Sequence, residues 1–273
     1  MTIWFASGNI HKKAELAAIL NRYMSRVPGG HNLLIPQDAG LEFNPDETGT
    51  TFCENALIKA RELHALLEKR RPHLYKTGDP VIADDSGICV DALDGRPGIF
   101  SARYVGRQEG TGDWGLGTRD CCPQSKRLDN PPCLLTNLPS PQCGNAVLPV
   151  PSPQSLVPSP LLYPSRKKLK AAERNALLLD ELGDIPARTA RFVCAMVLLF
   201  TPDRFCAVQE TFEGEIVSGP EFAKGTGGFG YDPVLFIPEL GRTVAELSEE
   251  EKNTMSHRAK AGKIIANILE ACW

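Results

Sequence analysis

Residues 81–87 read VIADDSG: an apolar run, Val81-Ile82-Ala83, ends in two adjacent carboxylates, Asp84 and Asp85, and then in Ser86-Gly87. The apolar run after Pro80 predicts a buried strand. Ser86-Gly87 predicts a turn, with a second short strand over residues 88–90. Strand side chains alternate faces, so Asp84 and Asp85 would point opposite ways in a continuous strand; a turn directly after them relaxes that rule. Two close carboxylates repel, which raises one pKa. A divalent cation offsets the repulsion, and Mg²⁺ favours one or two carboxylates together with substrate phosphates. The same pair also fits an Asx-turn at a strand end, where Asp bonds its own backbone.

Working outward, residues 2–6 predict a strand, Ser7-Gly8-Asn9 a break, and residues 10–24 a helix with Leu16, Ile19, Leu20 and Tyr23 on one face. Unpaired amides at such a helix start, with Lys12 in its first turn, form a phosphate seat in principle. The competing reading is an Asn cap with a solvated lysine. No Walker loop is present. A short strand near residues 32–35 and an acidic loop carrying Asp46 and Glu47 follow, the loop taken alone reading as a solvated one and otherwise as a further source of carboxylates. Thr51 with Glu54 forms a capping box for a helix whose apolar positions are Phe52, Ala56, Leu57, Ala60, Leu63 and Leu67.

The C-terminal half predicts a helix over residues 167–182 ended by Gly183, strands over 192–200 and 205–212, a turn at Gly214 into 215–217, and a strand over 234–237. GTGGFGYDP, residues 225–233, surrounds Phe229, Tyr231 and Asp232 with glycines. An exposed aromatic there can stack a base, and an aspartate can accept from ring N–H groups; a tight turn with Phe229 in the core is the alternative. Ser248 with Glu251 is a second capping box, and Ser256 is placed to cap the last helix. Lys252, His257 and Arg258 make a basic cluster whose cations oppose the dipole of that helix and favour an anion or electron-rich edge, unless it is simply a solvated helix end. Mixed helices and strands, several of the strands antiparallel, give an α/β or α+β class with a mixed sheet.

Composition narrows the function classes. The chain has 273 residues, 42% hydrophobic and 23% charged, with a net charge of -3. That is ordinary globular composition and demands neither nucleic acid nor an acidic membrane. No segment has the length of a spanning helix and the N-terminus lacks a signal-peptide pattern, so a cytoplasmic protein is expected. Nine scattered cysteines do not read as a disulfide framework.

Five ordered segments together resemble a known family: SGNIHKKAELAAIL, TFCENALIKA, ADDSGICVDALDGRPGIFSARYVG, GTGGFGYDPVLFIP and AELSEEEKNTMSHRAKA. They are similar to the signature segments of the inosine triphosphate pyrophosphatase family, in its bacterial-type branch. The resemblance implies hydrolysis of ITP, dITP and XTP to the monophosphate and pyrophosphate. It implies an elongated mixed sheet with two α/β lobes around a central nucleotide cleft, a homodimer, and Mg²⁺ as cofactor. By position, Asp85 resembles the catalytic carboxylate. Ser7, Gly8, Asn9, Ile10, His11 and Lys12 resemble the phosphate-binding segment, and Ser86 a substrate contact. Phe229, Gly230, Tyr231 and Asp232 resemble the base loop, with Lys252, His257 and Arg258 as further nucleotide contacts. Asp46 or Glu47 resembles a metal-ligand source beside Asp85, with Asp84 in support.

The chain departs from the family pattern at residues 107–166, which hold 11 of its 22 prolines and four of its nine cysteines. This stretch reads as a Pro-rich irregular insertion in a single domain, either a surface loop or translated non-coding sequence. Two other functional readings remain at this point. One is a nucleotide-binding protein whose catalysis the insertion impairs; the other is a related pyrophosphatase of different base preference.

Overall fold

The computed structural model describes residues 1–24, 30–71, 73–76, 78–105 and 169–272, and the backbone of 134–136. Its centre is a mixed sheet in the order β2-β1-β3-β5-β6-β7-β8, with β4 on β6. The strands are β1 (Thr2–Phe5), β2 (Asn32–Leu34), β3 (Val81–Val90), β4 (Leu134–Thr136), β5 (Thr189–Thr201), β6 (Arg204–Ile216), β7 (Leu235–Ile237) and β8 (Arg242–Thr243). The helices are α1 (Ile10–Tyr23), α2 (Phe52–Arg70), α3 (Ala171–Leu182), α4 (Glu249–Met255) and α5 (His257–Cys272). β1 pairs in parallel with β2 and with β3, each connection passing through a helix, while β3, β5, β6, β7 and β8 pair antiparallel. This is the mixed α/β sheet expected.

The expected turn at Ser86-Gly87 is absent. β3 runs as one strand, its register with β5 unbroken from Val81↔Leu199 to Val90↔Ala190. Glycine serves a different purpose at 87. A Cβ there would stand 2.4 Å from both the Gly98 carbonyl oxygen and Ser101 Oγ. The strand passes against the turn over Gly98–Arg103, and only glycine permits that approach. Ser101 Oγ also accepts the Ile88 amide at 2.9 Å, replacing a ladder bond. Gly214 likewise opens no turn. It lies inside β6, with the Phe236 carbonyl oxygen 2.5 Å from where a Cβ would be.

The continuity of β3 sorts its side chains by parity. Ile82 packs with α1 and α5 in one core, beside Leu16, Leu20, Ile265 and Leu269. Val81 and Ala83 pack with α2 in a second core, beside Ala56, Ala60, Leu63 and Leu67. Farther along the strand, Ile88 and Val90 join a third core with Leu178, Leu182, Phe192 and Leu235. The long strands thus carry one lobe at each end, and residues 84–87 fall between them.

β4 lies inside the stretch read as irregular, and its three residues pair antiparallel with β6 from Leu134↔Val208 to Thr136↔Cys206. Prolines on either side mask so short a strand in the sequence. The remainder of residues 107–166 lies outside the described residues.

Candidate active site

The Ser7-Gly8-Asn9 turn forms as expected, with Asn9 as the cap of α1: its side chain accepts from the amides of His11 at 2.9 Å and Lys12 at 3.3 Å. The Asn9 amide in turn donates to Ser7 Oγ at 3.2 Å. Several amides of the proposed phosphate seat are therefore already bonded within the loop. What the turn delivers is Lys12, whose Nζ reaches Asp84 Oδ2 at 2.8 Å.

β1 ends just before this point. Its last ladder contact is Phe5↔Ile82, extended by the Ala6 amide to the Ile82 carbonyl at 2.7 Å. Farther on, β3 is covered again by the turn containing Gly98 and Ser101. Between the two, the β3 edge at Asp84, Asp85 and Ser86 pairs with no strand on that side among the described residues. Ligand sites of open sheets form outside the carboxyl ends of parallel strands in this way.

Because β3 is continuous, its two aspartates lie on opposite faces. Asp84, fully buried as a side chain, faces α1 and α5. It binds Lys12 and receives Arg258 Nε at 3.3 Å. Burial alone would raise its pKa, but Lys12, Arg258 and Lys59 hold the carboxyl well below the usual range. Its other oxygen, Oδ1, is buried without a partner. Ser86 lies on the same face, its hydroxyl accepting from Arg258 Nη2 at 3.0 Å. Arg258 also pairs with Glu15, and its pKa is raised because Asp84 and Glu15 outweigh the burial that would lower it.

Asp85 faces α2. Its Oδ1 receives Lys59 Nζ at 2.9 Å and its Oδ2 receives Asn55 Nδ2 at 3.3 Å. Lys59 also reaches Glu47 Oε1 at 3.0 Å, and Arg103 holds Glu47 Oε2 at 3.3 Å. Asp85 and Lys59 do not shift as an isolated ion pair would. Burial works against the Lys59 charge, yet Asp85, Asp84 and Glu47 together raise its pKa. The Asp85 pKa is raised too, because burial, with Glu47 adding repulsion, exceeds what Lys59 and Lys12 supply.

A single cation bridging Asp84 and Asp85 does not fit this arrangement, and Asp84 drops out of the expected ligand set: it is on the wrong face and already holds two cations. Asp46 is exposed and enters none of these contacts. No three His, Cys, Asp or Glu side chains gather as a metal cage among the described residues. Glu47 and Asp85, joined through Lys59, are two carboxylates that lie together on the α2 side of β3. Such hard oxygen donors suit Mg²⁺, which binds by few carboxylates and completes its shell with phosphates and water.

The glycine loop divides differently from the expectation. Phe229 is half-buried at the site, with Arg258 and Lys252 5.6 and 5.7 Å from its ring centre. Tyr231 instead belongs to the core, its hydroxyl donating to the Ser101 carbonyl at 3.0 Å, and cannot face a base. Gly230 offers its carbonyl to Asn175 Nδ2 at 3.1 Å. Asp232 is an anchor: its Oδ2 accepts from the Phe229 amide and from Lys252 Nζ, each at 2.8 Å. Burial raises its pKa against the pull of Lys252. The solvated-end reading of the basic cluster fails, since Lys252 and Arg258 are buried. Ser256 caps α5 by accepting the Ala259 amide at 3.2 Å. The His257 ring stacks on Phe192 at 5.0 Å and leaves Nδ1 buried without a partner. Burial, then Arg258, keeps its pKa well below the ordinary value.

Glu15, Asn55 and Lys59 carried no assignment from the sequence. A signal existed for two of them. Asn55 and Lys59 occupy the same stripe of α2 as Phe52, Ala56, Ala60 and Leu63, and all six are buried. Polar side chains on a buried stripe require buried partners.

The sequence and the fold both have known relatives. The Ham1 family model matches residues 3–116 and 158–268. A Treponema denticola protein named dITP/XTP pyrophosphatase is 37% identical over 261 residues, spanning 96% of this chain and 94% of that protein. One of the same name from Nitratidesulfovibrio vulgaris is 36% identical, spanning 100% of this chain and 97% of its own. The solved structure of a HAM1 protein from Coxiella burnetii has a TM-score of 0.63 at 28% identity, covering 99% of each chain. A dITP/XTP pyrophosphatase structure from Mycobacterium abscessus gives 0.54 at 32% identity, covering 98% of this chain and 99% of that one. The chain belongs to the Ham1 family, the nucleotide-pyrophosphatase family that its signature segments resemble.

Proposed function

We propose that this chain hydrolyses non-standard purine nucleoside triphosphates (dITP, ITP and XTP) to the monophosphate and pyrophosphate, with Mg²⁺ as cofactor. The observation that carries the reading is the division of charge across β3. Asp84 is tied up by Lys12 and Arg258. Asp85 keeps a raised pKa between Asn55 and Lys59. A carboxylate pushed upward is the better general base near neutral pH.

In this reading Asp85 takes a proton from water as the water oxygen bonds to the α-phosphorus. The bridging bond between the α- and β-phosphates breaks, and its electron pair leaves with pyrophosphate. Lys59 and Lys12 flank the open β3 edge and counter the charge that shifts onto the phosphate oxygens. Asn55 fixes the Asp85 carboxylate. Glu47 and Asp85 would hold the Mg²⁺, which when bound draws charge from the triphosphate. Phe229 supplies an aromatic face for the base, and the Lys252 and Arg258 cations over that ring suit the 6-oxo group of hypoxanthine or xanthine. The names of the relatives support this substrate class. The family resemblance supports a homodimer and a cytoplasmic setting; no helix among the described residues is long and apolar enough to cross a membrane. We read residues 1–273 as one pyrophosphatase domain interrupted at 107–166.

Pyrophosphate release from dITP, XTP, dATP, dGTP and dUTP in the presence of Mg²⁺ tests the assignment. dITP and XTP should turn over, with dATP disfavoured by up to about 10⁴-fold, the scale on which unpaired donors reject an analogue. Equal turnover of dATP or dUTP would refute the base preference. Tight dITP binding without pyrophosphate would favour the nucleotide-binding alternative.

A further inference from the structure

Two cysteines lie at the end of α5 farthest from the site. Along β6, Cys206 and Val208 face the core that α5 covers, and Ala207 faces the α2 side. The start of α5 lies over the other end of that strand. His257 stacks on Phe192, the register partner of Phe212. Lys260 Nζ donates to the Thr211 carbonyl at 2.8 Å. From there α5 runs back toward Cys206, since Ile265 and Leu269 share its core. The two lengths agree. A helix rises about 18 Å from Lys260 to Cys272, and a strand spans about 17 Å from Thr211 to Cys206. Cys272 follows Leu269 by three residues and Ile265 by seven, which keeps it on their stripe.

The two thiols sit in unlike surroundings. Cys206 is buried, Cys272 is exposed, and both are free. Burial pushes the Cys206 thiol up to about 11 against a hydrogen bond from the Leu198 backbone, and the Cys272 thiol is near enough to add to the rise. An oxidant arriving from solvent therefore meets Cys272, and Cys206 is reached through it. Cys272 is also the last residue of α5. Terminal helical turns adjust readily, which lets the Cα atoms settle within the roughly 4.4–6.8 Å that a disulfide needs.

We propose that Cys206 and Cys272 are a redox-closable pair, oxidised by a low-molecular-weight disulfide to a bridge that ties the end of α5 to β6. The Cys272 thiolate attacks one sulfur of the small disulfide, forming a mixed disulfide and releasing one thiol. Cys206 then gives up its proton and attacks Cys272 Sγ, and the second small thiol leaves. One dithiol and one disulfide become one protein disulfide and two thiols. The bridge fastens to the sheet the helix whose first turn holds Arg258 against Asp84. This inference is independent of the pyrophosphatase reading.

The test incubates the full chain with glutathione disulfide, alkylates the remaining thiols and maps the peptides by mass. Cys206 and Cys272 should appear in one linked peptide, and dithiothreitol should separate them. Closing a loop of this length should raise the melting temperature by about 5–10 °C over the reduced protein. Cys272→Ser should abolish both the linked peptide and the rise. Cys206→Ala should instead stop at the mixed disulfide on Cys272. The pair is overturned if wild-type Cys272 stays glutathionylated while Cys206 is alkylated after unfolding. It is equally overturned if Cys272 is found linked to another cysteine, or if it does not react.

Discussion

Replacing Asp85 by asparagine should lower kcat for dITP by about 10²–10⁴-fold, the range spanned by loss of a general base. The amide keeps the shape of the carboxylate and can still receive Lys59, but it cannot take a proton from water. KM should move far less, because most of the binding groups remain. The fold should survive. Glu47 still pairs with Lys59 at 3.0 Å, and a carboxylate whose pKa burial has raised is already disfavoured in its charged form. The sign follows from linkage: a raised native pKa means the charged carboxylate costs stability above that pKa, and a neutral amide removes the cost. Thermal denaturation should show a melting temperature equal to or above that of the wild type.

Asp84→Asn should do the reverse. This carboxylate is the shared partner of Lys12 and Arg258, and its side chain is wholly buried. Removing one member of a buried ion pair leaves the others uncompensated and typically costs about 3–5 kcal/mol. Glu15 still holds Arg258, which argues for the lower end of that range. Here the native pKa is depressed. The stabilisation is therefore complete above the unfolded-state pKa and is lost as the pH falls through the native one. Urea unfolding at neutral pH should show the full loss, and the gap between wild type and variant should close on acidification. A variant as stable as the wild type would mean that Asp84 is not the anchor of the α1–α5 face.

The opposed fates of two neighbouring residues depend on one strand being continuous, and that was the feature least legible in the sequence. Ser-Gly is ordinarily turn vocabulary. At Gly87 the missing side chain makes room for Gly98 and Ser101 instead, a contact that local patterns do not reveal. Features set by local spacing were legible. Asn9, Thr51, Ser248 and Ser256 all cap helices as read, because capping depends on residues two or three apart. Lys59 and Asn55 were not assigned because their partner Asp85 is distant in sequence and their own helix reads as an ordinary amphipathic one. Tyr231 was misplaced for a related reason. A glycine-flanked aromatic looks available, yet its hydroxyl has a partner in the turn that also packs on β3.

The site therefore works as two faces of one strand meeting at an uncovered edge. α1 and α5 supply a fixed cationic wall against Asp84, while Asn55 and Lys59 of α2, with Glu47 of the acidic loop, hold Asp85 on the other face. The glycine loop carries the aromatic face, and Asp232 ties it to α4 through Lys252.

The most direct measurement is hydrolysis of dITP in ¹⁸O-labelled water, with the label located in the products. Attack on the α-phosphorus, with Asp85 as base, predicts label in dIMP and none in pyrophosphate. Label in pyrophosphate, or release of orthophosphate in its place, would contradict the account.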